Sequence, residues 1–231
     1  MPKPYAVIIG AGGGLSAAVA REFSKDHELV LAARGGAQMR EVADELGART
    51  VLLDGTDEHA IKALFDELPQ PPRVVVYNPS ARVKGPVAEL SVDDVRKAVD
   101  VTAVGSFIAG KHAARRMLTA EPVDGVRGTI LFTGASAGVK GFPLSAPFAM
   151  GKFAQRGLAQ SMARELHPKG IHVAWVNIDG AIITPGNTEP ADKPGSMLKP
   201  EAIAQTYRHL AQQERSAWSD EISVRPWVER F

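Results

Sequence analysis

Residues 6–16 read Ala6-Val-Ile-Ile-Gly10-Ala-Gly12-Gly-Gly14-Leu15-Ser16, an apolar run that passes through a glycine-rich turn into a helical pattern. The apolar run predicts a buried strand, because it is short and bounded by turn residues. Glycines between a strand and a helix let the backbone approach a pyrophosphate, and the helix N-terminus supplies N–H donors. The spacing is Gly10-x-x-x-Gly14, with Ser16 where a third glycine often stands, and not G-x-G-x-x-G. A tight turn that binds no ligand is the alternative interpretation.

Short apolar runs alternate with helical patterns along the whole chain. The predicted strands are Ala6–Ile9, Leu29–Ala33, Val51–Leu53, Arg73–Tyr77, Thr129–Thr133, His172–Asn177 and Glu221–Val224. The predicted helices are Leu15–Lys25, Ala37–Leu46, Glu58–Glu67, Val92–Met117, Phe148–Leu166 and Glu201–Gln212. Because the first six strands are apolar throughout, we expect a parallel sheet with both faces covered. The alternation predicts an α/β fold of the Rossmann type, a doubly wound seven-stranded parallel sheet with helices on both faces.

Composition is that of an ordinary globular protein. The 231 residues are 45% hydrophobic and 23% charged, and they are predicted as one domain, residues 1–231. The net charge of +1 gives no reason to expect nucleic acid or an anionic membrane as partner. The chain has no cysteine, which excludes disulfides and cysteine-bound metals, and no metal site is predicted. Without an apolar run of membrane-spanning length or a recognisable signal peptide, we expect a cytoplasmic protein.

A proline-rich segment follows the sixth predicted strand. Residues 185–200 contain four prolines, and we expect a variable loop with little regular structure beside the active site. A loop of this length is often a lid or a binding loop, and a mobile surface excursion is the alternative. Pro200 suits the first position of the helix that follows.

The residue at the end of the second predicted strand indicates which nucleotide would bind at the glycine turn. A site for NAD usually has an acidic residue there, which binds the ribose 2′-hydroxyl. This chain has Arg34, twenty residues after Gly14. A guanidinium pairs with the 2′-phosphate of NADP, whereas a carboxylate repels it. We therefore expect NADP(H) to be preferred over NAD(H), and a solvated arginine at a strand end is the alternative.

Five further segments follow in a characteristic order. They are Leu53-Asp54-Gly55, Tyr77-Asn78-Pro79-Ser80, the run from Gly128 to Gly138, Phe148-Ala-Met-Gly-Lys152, and the run from Asn177 to Thr184. Together with the glycine turn, this series resembles the short-chain dehydrogenase/reductase family over essentially the whole chain. The resemblance implies a nicotinamide cofactor and oxidoreductase activity on a Rossmann-type fold.

The resemblance also implies cofactor-binding roles for specific residues. It assigns binding of the pyrophosphate to Gly10, Gly12, Gly14 and Leu15, and binding of the adenine to Asp54 with Gly55 beside it. Asn78 and Ser80 match the family's Asn-Asn-Ala-Gly loop after the fourth strand. Gly180, Ile182 and Thr184 match the family's stretch around the nicotinamide, with Asp179 in place of its proline. Lys152 matches the lysine that binds the nicotinamide ribose, and a solvated helical lysine is the alternative.

Three positions depart from the family's catalytic set of Asn, Ser, Tyr and Lys. Phe148 stands four residues before Lys152, where the family has the tyrosine that transfers a proton to or from the substrate. Ala135 stands at the position of the serine, and Thr102 aligns with the asparagine. A phenyl ring has no ionisable proton, and general acid–base catalysis typically contributes about 10²–10⁴-fold. The catalytic candidates are therefore Lys152 and Ser136, and the further candidate donors are Ser145, Tyr77 or a water held by Lys152 and Ser136.

Three functions fit this pattern. The first is an NADP(H)-dependent oxidoreductase that acts on a small-molecule substrate, since hydride transfer is the cofactor's own chemistry. A substrate that needs little acid assistance, such as an activated double bond or an imine, would suit such a site. The second is an NADP(H)-binding protein without turnover, either a nucleotide sensor or a partner subunit. The third, a lyase or dehalogenase, is disfavoured because enzymes of that kind on this fold generally keep the tyrosine.

Small residues and C-terminal aromatic residues bear on the oligomeric state. Alanines and glycines recur in Thr102–Met117 and Phe148–Leu166, which permits close helix packing within or between subunits. In the family these two helices form a dimer interface. Trp218, Trp227 and Phe231 are either buried in a second interface or docked onto their own domain. We expect a homodimer or a homotetramer.

Overall fold

Nine strands and seven α-helices alternate along residues 3–229, the part of the chain that the computed structural model describes. The strands are β1 (Tyr5–Ile9), β2 (Glu28–Ala33), β3 (Arg49–Leu52), β4 (Val74–Tyr77), β5 (Gly128–Thr133), β6 (Ile171–Ile178), β7 (Ala181–Ile182), β8 (Met197–Leu198) and β9 (Glu221–Val224). The helices are α1 (Leu15–Ser24), α2 (Ala37–Leu46), α3 (Glu58–Asp66), α4 (Val92–Val99), α5 (Gly105–Met117), α6 (Ala146–Leu166) and α7 (Pro200–Ala211). Apart from the region of α4 and α5, the predicted bounds agree with these to within two residues.

Seven of the strands form one parallel sheet in the order β3-β2-β1-β4-β5-β6-β9. In this sheet β1 pairs with β2 on one side and with β4 on the other. The strand order therefore reverses beside β1. In open α/β sheets, ligands bind outside the carboxyl ends of the strands at such a point. This arrangement confirms the predicted doubly wound parallel sheet.

Helices cover both faces of the sheet and build two apolar cores. Side chains alternate along β1, so that Ala6 and Ile8 pack into one core while Val7 and Ile9 pack into the other. The first core contains residues of α1, α2 and α7, and the second contains residues of α3, α5 and α6. Burial on both faces explains why the central strands are apolar throughout.

The third strand is an exception to this burial. At the edge of the sheet, β3 pairs with β2 on one side only. Its Leu52 is 66% exposed, although the sequence predicts a strand buried on both faces. That prediction is wrong for β3, because a strand at the edge is only partly covered by the helices of the two layers.

The segment predicted as one helix, Val92–Met117, is interrupted. Residues Asp100–Val104 form a π-helical turn between α4 and α5. The Tyr77 hydroxyl donates a hydrogen bond to the Val101 carbonyl oxygen in this turn at 2.6 Å. The predicted helical bounds, Val92 and Met117, are confirmed, and the π-helical turn between them was not predicted.

Gly105, the first residue of α5, packs against the Tyr77 hydroxyl. A Cβ atom added to Gly105 would overlap Tyr77 Oη and would lie 2.8 Å from the Gly55 carbonyl oxygen. Because backbone atoms cannot move aside easily, we expect Gly105→Ala to lower the free energy of unfolding by about 1–3 kcal/mol. The matched control is Gly157→Ala in α6, where no described atom lies within 4 Å of an added Cβ. That control should raise the free energy of unfolding by about 0.5–1 kcal/mol.

Denaturant unfolding of the two glycine variants measures both effects. A Gly105→Ala variant as stable as the wild type would contradict the packing of α5 against β4.

The proline-rich segment, residues 185–200, is mostly a loop and contains one two-residue strand. Within it β8 pairs with β7, and Thr184 and Asn187 form an isolated bridge. Glu189 Oε1 accepts a hydrogen bond from the Met197 N–H at 3.1 Å, which ties the segment to itself. The expectation that residues 185–200 form a loop with little regular structure of their own is therefore confirmed, since their one short strand pairs with β7 outside the segment. As predicted, α7 begins with Pro200.

The C-terminal aromatic residues differ in their surroundings. Trp218 stacks on His172 of its own domain, with ring centroids 4.8 Å apart. Trp227 is 87% exposed. Phe231 lies outside the described residues. Trp218 is therefore docked onto its own domain, whereas the domain leaves most of the Trp227 side chain exposed.

Candidate active site

Three adjoining cavities lie at the carboxyl ends of the central strands. The first cavity, of about 260 Å³, is lined by Ile9, Gly10, Ala11, Ala33, Arg34, Gly35, Leu53, Asp54, Gly55, Pro79, Ser80 and Val101. The central cavity, of about 400 Å³, is lined by Leu15, Asn78, Ser80, Arg82, Thr133, Gly134, Ala135, Phe148, Lys152, Ile178, Gly180, Ala181, Ile182, Thr184 and Asn187. The outer cavity, of about 270 Å³, is lined by Arg82, Lys84, Ala135, Ser136, Ala137, Phe142, Pro143, Ser145, Phe148, Ile178 and Gly180. Shared lining residues join the three cavities into one cleft.

Most of the residues predicted to bind the cofactor line the first or the central cavity. They are Gly10, Leu15, Arg34, Asp54, Gly55, Asn78, Ser80, Lys152, Gly180, Ile182 and Thr184. Gly14 lies beside Thr184, since a Cβ added to Gly14 would be 3.4 Å from Thr184 Cγ2. Gly12 lines neither cavity, and no described atom lies within 4 Å of a Cβ added to it. The fold thus brings six separate segments of the chain to one cleft.

Hydrogen bonds within the glycine turn hold it in shape. Gly10 has a φ of +83°, and a Cβ added to it would lie 2.8 Å from Pro79 Cδ, so glycine is required there. The Gly12 N–H donates to Ser16 Oγ at 2.9 Å. Ser16 therefore closes the turn with its hydroxyl. Gly14 precedes the first residue of α1, where free N–H groups and the helix dipole favour an anion.

Two side chains of opposite charge line the first cavity. Asp54 Oδ1 accepts hydrogen bonds from the Thr56 N–H at 2.9 Å and from the Thr56 hydroxyl at 2.8 Å. These hydrogen bonds, with a smaller contribution from the Arg34 charge, lower the pKa of Asp54. The carboxylate is therefore ionised at neutral pH and can accept a hydrogen bond from an amino group. Arg34 is exposed, and the space around the following Gly35 and Gly36 is open among the described atoms.

Lys152 is buried at the central cavity, with only 1% of its surface exposed. Its Nζ donates to the Thr133 carbonyl oxygen at 2.5 Å and to Gln155 Oε1 at 3.2 Å. An ammonium group has three N–H donors, so one remains for a ligand. Burial, with a smaller contribution from the Arg82 charge, lowers the pKa of Lys152 to about 7. The amino group can therefore take up or release a proton near neutral pH.

Phe148 lines both the central and the outer cavity beside Ala135. Two cations face its ring: Arg82 Cζ lies 4.1 Å from the ring centroid, and Lys152 Nζ lies 5.9 Å from it. Such contacts are attractive because the ring face carries negative charge density. Sequence reasoning missed Arg82, whose only signal is its position two residues after Ser80 in a loop predicted to bind the cofactor.

The candidate proton donors do not share one cavity. Ser136 and Ser145 line the outer cavity, whereas Lys152 lines the central one. Tyr77 is fully buried, and its hydroxyl donates to the Val101 carbonyl oxygen. Burial also raises the pKa of Tyr77. The hypothesis that Tyr77 gives a proton to a substrate is therefore wrong. Its hydroxyl hydrogen bonds to a backbone carbonyl, and Tyr77 lines none of the three cavities.

Thr102 positions the loop after β4. Its Oγ1 accepts a hydrogen bond from the Ala81 N–H at 3.2 Å. Gly151 of α6 packs against it, since a Cβ added to Gly151 would lie 2.8 Å from Thr102 Cβ. Thr102 lines none of the three cavities. In this structure it therefore holds the loop in place and does not face a ligand.

Comparison with known proteins identifies the family of this chain. A family model described as short chain dehydrogenase matches residues 4–193. The chain belongs to the short-chain dehydrogenase family. The crystal structure of a short-chain dehydrogenase from Rhodopseudomonas palustris matches this chain with a TM-score of 0.81 and 33% sequence identity. The match covers 97% of this chain and 99% of that one.

This chain is also similar to a second protein in sequence and to a second crystal structure in fold. The cyclic-di-GMP-binding biofilm dispersal mediator protein of Escherichia coli K12 is 30% identical over 192 residues, 81% of this chain and 76% of that protein. The crystal structure of BdcA in complex with NADPH has a TM-score of 0.83 and 24% identity, and the match covers 98% of this chain and 94% of that one.

Neither a membrane helix nor a metal centre occurs in the described part of this short-chain dehydrogenase. Within residues 3–229, no helix has the length and apolar character needed to cross a bilayer. The same residues contain no group of three or more His, Asp or Glu side chains arranged to hold a metal ion.

Proposed function

We propose that this short-chain dehydrogenase is an NADP(H)-dependent oxidoreductase that acts on a small-molecule substrate with a non-standard catalytic site. The observation that carries the proposal is the continuous cleft that joins Gly10 and Arg34 to Lys152. A dinucleotide needs a long binding surface that passes a helix N-terminus at its pyrophosphate. The first and central cavities, with the start of α1 beside them, supply such a surface.

The residues of the cleft fit this cofactor. The glycine turn would hold the pyrophosphate, because Gly10 lines the first cavity and Gly14 directly precedes α1, whose N-terminus favours an anion. Arg34, beside two glycines, would pair with the 2′-phosphate, and one N–H of Lys152 would bind the nicotinamide ribose. When bound, the cofactor supplies or accepts the hydride. The complex of BdcA with NADPH is in line with this choice of cofactor.

Lys152 is the group that we assign to proton transfer. With a pKa of about 7, it can hold a proton and give it up near neutral pH. Phe148 has no ionisable proton, and its ring makes one wall of the central cavity apolar. Ser136, in the outer cavity, is assigned to hydrogen bonding with the substrate. Such a site suits a substrate that needs little acid assistance, such as an activated double bond or an imine.

The second candidate function is binding of NADP(H) without turnover. The Escherichia coli relative is named for binding a nucleotide and mediating biofilm dispersal, and not for a reaction. The absence of a phenol at position 148 is in line with this alternative. Consumption of NADPH with a panel of enones and imines distinguishes the two functions. Consumption by the wild type that is lost in Lys152→Met supports the oxidoreductase, and tight NADPH binding without any consumption supports the sensor.

The cofactor preference gives a direct test. We expect the wild type to bind NADPH at least about tenfold more tightly than NADH, a difference of about 1.4 kcal/mol that one charge-assisted pair can supply. Arg34→Gln should remove the difference, because it removes the guanidinium and keeps a polar side chain. Arg164→Gln is the matched control, since Arg164 is exposed on α6 and lines none of the three cavities.

Fluorescence titration of both nucleotides into the three proteins measures these affinities. Equal affinity of the wild type for NADPH and NADH would contradict the preference. Unchanged NADPH binding in Arg34→Gln would show that another group binds the 2′-phosphate.

We also propose that the protein is a cytoplasmic homodimer or homotetramer. Several large apolar side chains of α5 and α6 are exposed, among them Phe107, Met150 and Phe153, and their contact with a second copy would bury them. The lack of cysteine supports a reducing compartment.

A further inference from the structure

The outer cavity is lined by two cationic side chains and by no carboxylate. Arg82 and Lys84 carry the positive charges, and the other lining residues are apolar, glycine or serine. Among residues 3–229, no carboxylate oxygen lies within 4 Å of either cation. A concave surface with charge of one sign attracts ligands of the opposite sign. The lining therefore favours an anionic ligand.

Backbone hydrogen bonds on both sides of Arg82 fix the loop that carries it. Before it, the Ala81 N–H donates to Thr102 Oγ1 at 3.2 Å. After it, the Gly85 N–H donates to the Leu144 carbonyl oxygen at 3.1 Å. The loop is thus anchored to the π-helical turn and to the loop before α6. A cation on an anchored loop loses less conformational freedom when a ligand binds.

Contact with an aromatic ring leaves the donors of Arg82 available. Its Cζ lies 4.1 Å from the centroid of Phe148, a side chain without a hydrogen-bond acceptor of its own. Within residues 3–229, no hydrogen bond of the Arg82 guanidinium is present. Guanidinium groups stack on aromatic faces and pair with carboxylates through two parallel N–H donors. Arg82 is therefore positioned to bind a carboxylate.

The start of α6 adds further donors to the same cavity. Ser145 precedes the first residue of this 21-residue helix, and its side chain makes no capping hydrogen bond. Ser145 and Ser136 both line the outer cavity. A helix N-terminus also favours negative charge. These groups reinforce the two cations and introduce no competing negative charge.

Arg82 connects the outer cavity to the proposed reaction centre, because it also lines the central cavity with Lys152. We propose that the substrate carries a carboxylate, which Arg82 and Lys84 bind in the outer cavity while the reducible group lies in the central cavity. This assignment rests on the proposed oxidoreductase function and names the substrate class for the same site. Imino acids and acids with an activated double bond are substrates of this class.

A pair of ligands that differ in charge tests the proposal without a turnover assay. Benzoate and benzamide have nearly the same shape, and calorimetry measures their binding with saturating NADP+ and without nucleotide. We expect benzoate to bind at least about tenfold more tightly than benzamide. Arg82→Gln should remove this difference, and Arg82→Lys should keep part of it. Arg96→Gln, at an exposed residue of α4 that lines none of the three cavities, should leave it unchanged.

NADPH affinity of the same variants separates a substrate site from a cofactor site. Loss of benzoate discrimination in Arg82→Gln with unchanged NADPH affinity supports the proposal. Equal losses for benzoate and NADPH would overturn it, because Arg82 would then bind the cofactor. Equal binding of benzoate and benzamide to the wild type would also overturn it and leave the cofactor assignment intact. A wild type that binds no NADPH would contradict the proposed function. The titration without nucleotide would still show whether the outer cavity binds benzoate more tightly than benzamide.

Discussion

The double variant Phe148→Tyr/Ala135→Ser is expected to reduce generic ketones with NADPH, a reaction that the wild type should perform poorly. The tyrosine would supply a phenol beside Lys152, and the serine would supply a donor for the carbonyl oxygen. General acid–base catalysis contributes about 10²–10⁴-fold, so we expect a gain in kcat/KM of that order. Steady-state consumption of NADPH with a panel of ketones measures it.

The surroundings of Phe148 explain why a phenol should work at this position. Arg82 Cζ and Lys152 Nζ lie 4.1 and 5.9 Å from the ring centroid. Nearby positive charges favour the phenolate and lower the pKa of a phenol toward neutral pH. Because the phenol and the serine act on one carbonyl oxygen, the gain of the double variant should exceed the product of the single gains.

Phe153→Tyr is the matched control for this gain of activity. Phe153 lies on the same helix, is 45% exposed and lines none of the three cavities. We expect this variant to behave as the wild type. No gain in the double variant, with NADPH binding intact, would show that the substrate pocket has also diverged. Strong activity of the wild type on the same ketones would show that another group already transfers the proton.

Lys152→Met is expected to stabilise the protein at pH 7 while weakening NADPH binding by about tenfold or more. The pKa of Lys152 falls from an ordinary 10.5 to about 7 in the folded protein, which corresponds to a cost of folding on the order of 4 kcal/mol. Methionine has a similar length and no charge. The Thr133 carbonyl loses its donor, at a cost of about 2 kcal/mol, so we expect a net gain of about 2 kcal/mol.

The pH dependence of stability identifies the cause of this gain. Between about pH 7 and pH 10.5 the unfolded chain holds the Lys152 proton more tightly than the folded protein does. The unfolded state then binds more protons, so the wild-type free energy of unfolding rises with pH in this window. Lys152→Met lacks this contribution. The advantage of the variant should therefore be largest at or below pH 7 and should vanish at about pH 9, where the cost of burying the Lys152 charge has fallen to about 2 kcal/mol. Toward pH 10.5 the variant should be less stable than the wild type by about 2 kcal/mol, because the Thr133 carbonyl still lacks its donor.

Urea unfolding at several pH values measures this difference directly. Lys97→Met, at an exposed lysine of α4, is the matched control and should follow the wild type. A Lys152→Met variant that is less stable than the wild type at pH 7 would mean that the hydrogen bonds of the ammonium outweigh its burial. A constant difference across the pH range would contradict the lowered pKa.

Local patterns were sufficient to predict the sheet and the glycine turn, and the family resemblance predicted most of the other residues that line the cleft. Apolar runs between turn residues locate the strands, and α2 has the predicted bounds, Ala37–Leu46. Parallel strands place all their carboxyl ends at one edge of the sheet. Residues that directly follow different strands, such as Gly10 and Asp54, must therefore lie close together. The glycine turn could be predicted because glycine tolerates a positive φ, such as the +83° of Gly10, which most other residues rarely adopt.

The contacts of the side chains in the cleft could not be predicted from the sequence. The Tyr77 hydroxyl donates a hydrogen bond to the Val101 carbonyl oxygen, and Arg82 lies over the ring of Phe148. No periodicity encodes such contacts, because each joins segments that only the packing of α4, α5 and α6 against the sheet brings together. The same packing buries Lys152 and thereby sets its pKa. The order of strands and turns along the chain explains why most of the predicted residues line the cleft, and long-range packing explains why Arg82 joins them and which side chains there can carry charge, move a proton or bind a substrate.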